Sequence, residues 1–142
     1  WTPPADFDHQ LTTWFFLAPA PQGTVQVDGR EIAEHVWLTP AEALRRHAAA
    51  DYTWFLPPTY VTLHNLQGFA TVADALAAAK RSEPHFYETR LTVTSTGEEV
   101  ALWPGDAGFE TSNPDMPGPR HRLWATPGRS WCLERSGGGG LP

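Results

Sequence analysis

Cationic residues are scarce in this sequence of 142 residues. Lysine and arginine together number ten against sixteen acidic residues, which gives a formal net charge of −6. Nucleic-acid binding depends on many cationic contacts with phosphate, and the sequence contains no sustained basic stripe. The charge balance therefore argues against a nucleic-acid partner.

Cysteine and long apolar runs are equally scarce. The single cysteine, Cys132, excludes an internal disulfide and fits a reducing compartment. Its place in an aromatic-flanked strand predicts a small buried side chain. No apolar run approaches the roughly 20 residues that a membrane-spanning helix needs, and no signal-peptide pattern is present. We therefore expect a soluble, cytoplasmic protein with no membrane partner.

Spacings typical of metal and phosphate sites are missing as well. The six histidines lie far apart, without an i,i+4 pair or a neighbouring cysteine, so their spacing identifies no metal ligands. We expect these rings to be exposed or singly hydrogen-bonded. The only glycine run is in the last residues, which excludes a Gly-rich phosphate loop. The glutamates are scattered and indicate no acid–base pair.

Aromatic residues, prolines and glycines are abundant instead. Seven Trp and seven Phe exceed what a chain of this length usually carries, and we expect most of them in the core. An unshielded cluster of them would mark an interface. The 14 Pro and 12 Gly predict many turns and short elements.

Hydrophobic patterning predicts three strands in the first forty residues. The first covers 11–18, where the run Trp14-Phe15-Phe16-Leu17 is apolar on both faces. Such a run is typical of a strand in a sheet that is covered on two sides. A short strand at 24–27 and another at 34–38 complete the set, with a turn at Asp28-Gly29 between them.

Three helices are predicted after these strands. At the first, Thr39 can cap, Pro40 takes the first helical position, and Glu42 can reach back to the Thr39 amide. That helix should run to about residue 50. A second helix begins at Pro57 and stops at Gly68, and a third covers 71–81.

Two hairpins follow the helices, after which the chain ends in a tail. The strands of the first are 89–94 and 99–103, and those of the second are 121–126 and 130–134. Residues 136–142, with four glycines, read as a flexible tail. The patterns together predict an α+β fold over 1–135.

Short motifs in the first half resemble the back half of a Nudix hydrolase domain. They are Phe15-Phe16-Leu17-Ala18, then Glu34, then Trp37-Leu38-Thr39-Pro40-Ala41-Glu42-Ala43-Leu44. Three further motifs resemble the subgroup of peroxisomal coenzyme A diphosphatases and their actinobacterial relatives: Trp1-Thr2-Pro3, Leu56-Pro57-Pro58-Thr59 and His121-Arg122-Leu123. The chain departs from that subgroup at Gln10-Leu11-Thr12-Thr13, where the subgroup has Arg-aromatic-Asp-Thr.

The family's catalytic signature has no counterpart in this sequence. It ends in Arg-Glu-aliphatic-any-Glu-Glu on a helix, where the paired glutamates hold magnesium or manganese. The segment Arg30-Glu31-Ile32-Ala33-Glu34-His35 is similar, but its final position is His35. The segment also leads into a predicted strand, where side chains alternate between faces. We therefore assign no metal ligand to this chain.

The resemblance implies a partial Nudix-like α/β/α sandwich, with a mixed sheet, two or three helices and C-terminal β-hairpins. It implies part of a hydrolase that cleaves the pyrophosphate bond of a nucleoside-diphosphate-linked substrate with Mg²⁺ or Mn²⁺. On this reading the chain supplies scaffold and cleft wall and is inactive alone. Its partner would be the missing N-terminal half, or a second copy. Glu34 is the candidate auxiliary catalytic carboxylate, and Trp14, Phe15 and Thr59 are the candidate substrate-binding residues.

Two alternatives remain open. The chain could be a stand-alone binding or interaction domain whose excess aromatic residues form a partner surface. It could also be an enzyme of another class, with a site assembled from dispersed His and Glu residues. Because a strand such as 11–18 exposes apolar faces when it lacks neighbours, we expect the chain alone to be marginally stable or to self-associate.

Overall fold

Three helices precede four strands along the chain. The computed structural model describes residues 1–5, 11–49, 55–126 and 130–136. The elements are α1 (Pro40–Ala48), α2 (Pro57–Leu66), α3 (Val72–Arg81), β1 (Arg90–Val93), β2 (Glu99–Leu102), β3 (His121–Thr126) and β4 (Ser130–Arg135). This order confirms the α+β class, the three helices and the two hairpins.

Side-chain caps start two of the helices. At α1 the Thr39 Oγ1 atom accepts a hydrogen bond from the Glu42 amide at 3.2 Å, and Pro40 takes the first helical position. At α3 the Thr71 Oγ1 atom accepts from the Asp74 amide at 3.1 Å. Each cap satisfies one of the amides that have no partner within the helix. The predicted Thr39 cap and the Pro40 start are confirmed, whereas the Glu42 carboxylate, expected to reach back to the Thr39 amide, instead accepts hydrogen bonds from Arg45 and Arg46.

The four strands form one antiparallel sheet in the order β1-β2-β3-β4. One cross-strand row contains Leu91, Ala101, Leu123 and Leu133, and the neighbouring row contains Arg90, Leu102, Arg122 and Glu134. Because side chains alternate along a strand, the two rows lie on opposite faces. We call them the helix face and the loop face.

The helix face packs against α2 and the first residue of the chain. Val61 of α2, Tyr87, Ala101, Trp103 and Leu123 are buried together there. The Trp1 ring stacks on the Tyr87 ring, with the ring centroids 3.9 Å apart and the planes 5° from parallel. Trp1 also meets Trp103 edge-on at 5.3 Å, so the N-terminal residue is part of the core.

The loop face is covered by the loop 103–120. Phe109 of this loop packs against Val100 and Leu102 of β2. The turn that carries Phe109 requires glycine at position 108, because a Cβ atom there would overlap the backbone carbonyl of Asn113. The sheet is therefore covered on both faces, by α2 on one and by this loop on the other.

The first forty residues differ from the prediction. Residues 11–39 form no strand and most of their side chains are exposed, so the strands predicted at 11–18, 24–27 and 34–38 are wrong. No residue in 14–27 or 34–38 makes a backbone–backbone hydrogen bond with another described residue. A strand exists only where a neighbour completes its ladder, and the described chain offers these segments none.

The segment is tied to the core at one point. The Thr13 amide donates to the Trp1 carbonyl at 2.9 Å, and the Trp1 α-amino group donates to the Thr13 carbonyl at 2.9 Å. An isolated parallel bridge links Thr2 to Glu88. These contacts place residues 1–3 beside the chain that enters β1.

Two further predictions need correction. Cys132 is exposed, not buried, because it lies in the edge strand β4 opposite Trp124 on the loop face. Ser136 was expected in the tail, yet its amide donates to the Arg120 carbonyl at 2.8 Å. The rest of the predicted tail, 137–142, lies outside the described residues. No helix in the described part of the chain is long and apolar enough to cross a membrane.

Candidate functional site

A cavity of about 550 Å³ lies over the helix face of the sheet. Its floor is formed by strand side chains, namely Leu91, Ala101, Leu123, Ala125 and Trp131. One wall consists of residues 1–4 with Leu11, Thr13 and Phe15, and the opposite wall consists of residues 56–59. Both walls come from outside the sheet, so the cavity is a concave site built over a flat floor.

Side-chain size in the floor explains where the cavity forms. Ala125 of β3 pairs directly with Trp131 of β4, and Ala101 of β2 pairs with Leu123 of β3. Each pair sets a small side chain beside a large one on the same face. The alanines leave space above the sheet, and the larger neighbours border that space.

The Trp131 ring is held in place by hydrogen bonds around it. Its Nε1 atom donates to the Phe55 carbonyl at 2.7 Å, and the Tyr60 hydroxyl donates to the Trp131 carbonyl at 3.0 Å. Tyr60 belongs to α2, so these bonds join β4 to that helix. A half-buried indole whose N–H is satisfied gives the cavity a fixed aromatic border.

The helical wall begins with two prolines. Pro57 and Pro58 occupy the first positions of α2, where their missing amides would have no partner within the helix. Leu56 precedes them at the N-cap position, and its side chain makes no capping hydrogen bond. This end of α2 therefore offers apolar ring surface to the cavity, with the exposed Thr59 as its polar residue.

Polar groups at the cavity are few and mostly uncharged. Thr2, Thr13, Thr59 and Thr89 contribute hydroxyl groups, and Glu99 contributes one carboxylate. None of the described lining residues is Lys, Arg or His. The described lining therefore has no cationic side chain that could neutralise a bound phosphate, and its chemistry is that of an apolar pocket.

Two of the four predicted site residues meet at this cavity. Phe15 lies in one wall and Thr59 in the other. Trp14 lies outside, where its ring stacks on Phe16 with centroids 6.4 Å apart and planes 18° from parallel. These two rings are 68% and 87% exposed. Leu11, Thr13 and Phe15 line the cavity while Trp14 and Phe16 stack outside it, the alternation expected of an extended chain.

Glu34, the fourth predicted residue, is exposed and is not among the described residues of the cavity. Within the described part of the chain, no three His, Cys, Asp or Glu side chains lie close enough to hold a metal ion. The described lining residues thus form an apolar pocket, and Glu34 does not belong to it.

Two histidines have buried environments that the sequence did not identify. The Nδ1 atom of His121 lies 2.8 Å from the Pro104 carbonyl, while its buried Nε2 atom has no partner among the described residues. Burial lowers the pKa of His121. The His47 ring stacks on Phe55 and meets Tyr60 at a tilt of 56°, and burial lowers the pKa of His47 also. Both favour the neutral form and lie outside the cavity lining.

The sequence reasoning missed the rings that contribute most to the cavity, Trp1 and Trp131. The position of Trp131 could have been predicted from the second hairpin, because counting outward from its turn pairs Trp131 with Ala125. Nothing local indicated that Trp1 would stack on Tyr87. No family model, curated protein or solved structure matches this chain.

Proposed function

We propose that this chain supplies the non-catalytic part of a Nudix-type hydrolase that cleaves the pyrophosphate bond of a nucleoside-diphosphate-linked substrate. In this role it contributes scaffold and an apolar cleft wall. The observation that carries the proposal is the segment 11–18, which is apolar on both sides and, from Trp14 onward, makes no backbone–backbone hydrogen bond with another described residue. It leads into the capped helix α1 through the Trp37–Leu44 motif.

The exposed apolar side chains of segment 11–18 support the proposal that further polypeptide packs over it. A run with two apolar faces belongs in a sheet that is covered on both sides. Here Phe15 faces the cavity, while Trp14 and Phe16 face solvent. A sheet contributed by more polypeptide would pair the backbone and cover the exposed rings.

The chemistry of the proposed reaction would come from outside this chain. The family holds Mg²⁺ or Mn²⁺ with glutamates on one helical face. Glu31 and Glu34 are the nearest candidates, and both are exposed in an irregular segment that joins no cluster of possible metal ligands among the described residues. They do not fit such a site, so we assign this chain no metal ligand and no chemical step.

The test compares two proteins on one substrate panel. The 142-residue chain and the product of its complete reading frame are assayed with nucleoside-diphosphate-linked compounds and either Mg²⁺ or Mn²⁺. We expect turnover by the product of the complete frame and none by the chain. Turnover by the chain alone would show that it carries a catalytic site. A complete frame that lacks the glutamate signature and is inactive would overturn the hydrolase proposal.

A second candidate function is supported by the exposed Trp14–Phe16 stack. A stacked pair of exposed aromatic rings is typical of a surface that binds another protein. On this alternative the chain is an independent interaction domain. A sharp, cooperative melt of the monomeric chain would favour it over the hydrolase scaffold.

A further inference from the structure

We propose that the cavity over the helix face binds a neutral, mostly apolar small molecule that carries an aromatic ring. The proposal goes beyond the hydrolase assignment and does not depend on it, because it concerns binding and not turnover. It rests on the shape of the cavity, the rings in its lining and the charges around it.

The shape fits a small molecule. Small organic ligands typically bind in clefts of about 300–1,000 Å³, and this one has about 550 Å³. Its floor is the sheet, and residues 1–4 and 56–59, which come from distant parts of the chain, form its walls. A molecule seated there would contact protein on several sides.

A peptide strand fits the cavity less well. The floor consists of side chains, whereas the backbone groups of β2 and β3 already bond to their neighbours on both sides. An extended peptide lying on this face would therefore gain no main-chain hydrogen bonds, which are the main source of affinity in strand addition. The floor therefore favours a ligand that packs against side chains over one that depends on main-chain hydrogen bonds.

The lining favours an aromatic ligand. Trp1, Trp131 and Phe15 border the cavity. The first two rings are fixed, Trp1 by stacking on Tyr87 and Trp131 by its hydrogen bond to the Phe55 carbonyl. Fixed rings bind another ring through stacked or edge-to-face contacts without losing further side-chain freedom.

The charged side chains disfavour an acidic ligand. Glu99 is the only charged side chain among the described lining residues, and its carboxylate would repel a phosphate, sulfonate or carboxylate. The α-amino group of Trp1 is also charged, but it already donates to the Thr13 carbonyl at 2.9 Å. The hydroxyl groups of Thr2, Thr13, Thr59 and Thr89 can satisfy one neutral polar group of a bound molecule. We therefore predict that the cavity prefers neutral ligands over acidic ones.

A matched pair of fluorescent probes tests this specificity. N-phenyl-1-naphthylamine is neutral, and 1-anilinonaphthalene-8-sulfonate has the same rings with an added sulfonate. We expect saturable binding of the neutral probe at one site per chain, and about tenfold weaker binding of the sulfonate because no cationic side chain of the described lining pairs with it. Equal affinity for both probes, or binding of the neutral probe that does not saturate, would overturn the proposal.

Variants at the cavity locate the binding. Ala125 is exposed at the floor, so Ala125→Trp places an indole in the space that the ligand needs. We expect about tenfold weaker binding of the neutral probe in this variant, which corresponds to about 1.4 kcal/mol. Ala77→Trp, at an exposed position of α3 away from the cavity, is the matched control and should bind as the parent does.

Folding is checked by the thermal transition of each variant. If Ala125→Trp does not fold, Ala125→Phe provides a smaller obstruction at the same place. Unchanged binding in a folded cavity variant would refute the site. Glu99→Lys provides an independent test, because it replaces the only carboxylate among the described lining residues with a cation and should strengthen binding of the sulfonate probe relative to the neutral one. If that ratio does not change, the charge argument is wrong.

Discussion

Arg122 and Asp106 form a buried ion pair through two hydrogen bonds, each 2.7 Å long. The Asp106 carboxylate also accepts from the backbone amides of Gly108 and His121, each at 2.8 Å. The third guanidinium nitrogen, Nη1 of Arg122, donates to the Pro114 carbonyl at 2.8 Å. One charge pair thus joins β3 to both ends of the loop that covers the loop face.

Replacing one partner of this pair should destabilise the protein strongly. Asp106→Asn would leave the Arg122 guanidinium buried without its counter-charge, and breaking a buried pair in this way costs about 3–5 kcal/mol. Urea unfolding measures the change in the free energy of unfolding. The double variant Asp106→Leu with Arg122→Met removes both charges and should recover part of the loss. A single variant as stable as the parent would show that the pair is not needed.

The same carboxylate predicts sensitivity to acid. Burial alone would raise the pKa of Asp106, but the hydrogen bonds from Arg122 and from the His121 and Gly108 amides hold it below its ordinary value of 3.8. Its contribution is therefore present above that pH and lost as the pH falls towards the lower folded-state pKa.

Unfolding midpoints measured at falling pH test this prediction. Stability should decline below about pH 4 in the parent, and less steeply in Asp106→Asn. Glu42 also contributes in this range, because hydrogen bonds from Arg45 and Arg46 lower its pKa to about 2. Glu42→Gln measures that surface contribution separately. An Asp106→Asn variant that declines as steeply as the parent would contradict the assignment to Asp106.

His121 predicts a second pH dependence at higher pH. Burial lowers its pKa, the nearby Arg135 and His85 lower it further, and the Pro104 carbonyl and Asp106 act in the opposite direction. In the unfolded chain the ring takes up a proton near its ordinary value of 6.5, while the folded protein keeps it neutral. Stability is therefore complete above that pH and falls as the pH drops towards the lower folded-state pKa.

The variant His121→Asn isolates this contribution. Its side-chain amide can still donate to the Pro104 carbonyl but does not titrate. We expect a smaller loss of stability between about pH 7.5 and pH 5.5 in this variant than in the parent. Equal slopes would assign the dependence to other groups, such as the partly buried His47 and His64.

Elements that depend on local signals were predictable from the sequence. The Thr39 cap, the following Pro40 and the Glu42 amide lie within four residues, so α1 begins where the sequence predicts. The first hairpin likewise follows from its turn, where Gly97 adopts a positive φ of 90°. In both cases many of the stabilising partners are sequence neighbours, although the hairpin turn also receives a distant one, because the Ser95 amide donates to the Asp115 carboxylate at 3.0 Å.

Elements that depend on distant partners were not predictable. The pattern of 11–18 is that of a strand, but a strand needs a neighbour. The hydrogen bonds that this segment makes with other described residues are those between Trp1 and Thr13 and between the Thr2 and Thr12 hydroxyl groups. The cavity depends on the same kind of information. Phe15 and Thr59 were named from a family resemblance, and what joins them is the packing of α2 and residues 1–4 over the sheet.

The cap of α1 provides a prediction about local stability. Thr39→Ala removes the acceptor of the Glu42 amide, and losing such a cap costs about 1 kcal/mol. Thr39→Ser retains a hydroxyl group and should stay close to the parent. Urea unfolding followed by far-ultraviolet circular dichroism measures both. If the alanine and serine variants are equally stable, the capping bond contributes nothing to the fold.

The exposed aromatic stack predicts self-association of the chain alone. Trp14 and Phe16 lie outside the cavity, and their backbone pairs with none of the other described residues, an arrangement that promotes pairing between copies. Replacing them by Trp14→Ser and Phe16→Thr should shift sedimentation velocity profiles towards monomer. Val72→Ser, which removes an exposed apolar side chain at the start of α3, is the control and should leave association unchanged. A parent chain that is monomeric at high concentration would contradict this prediction, because the exposed rings would then need no cover.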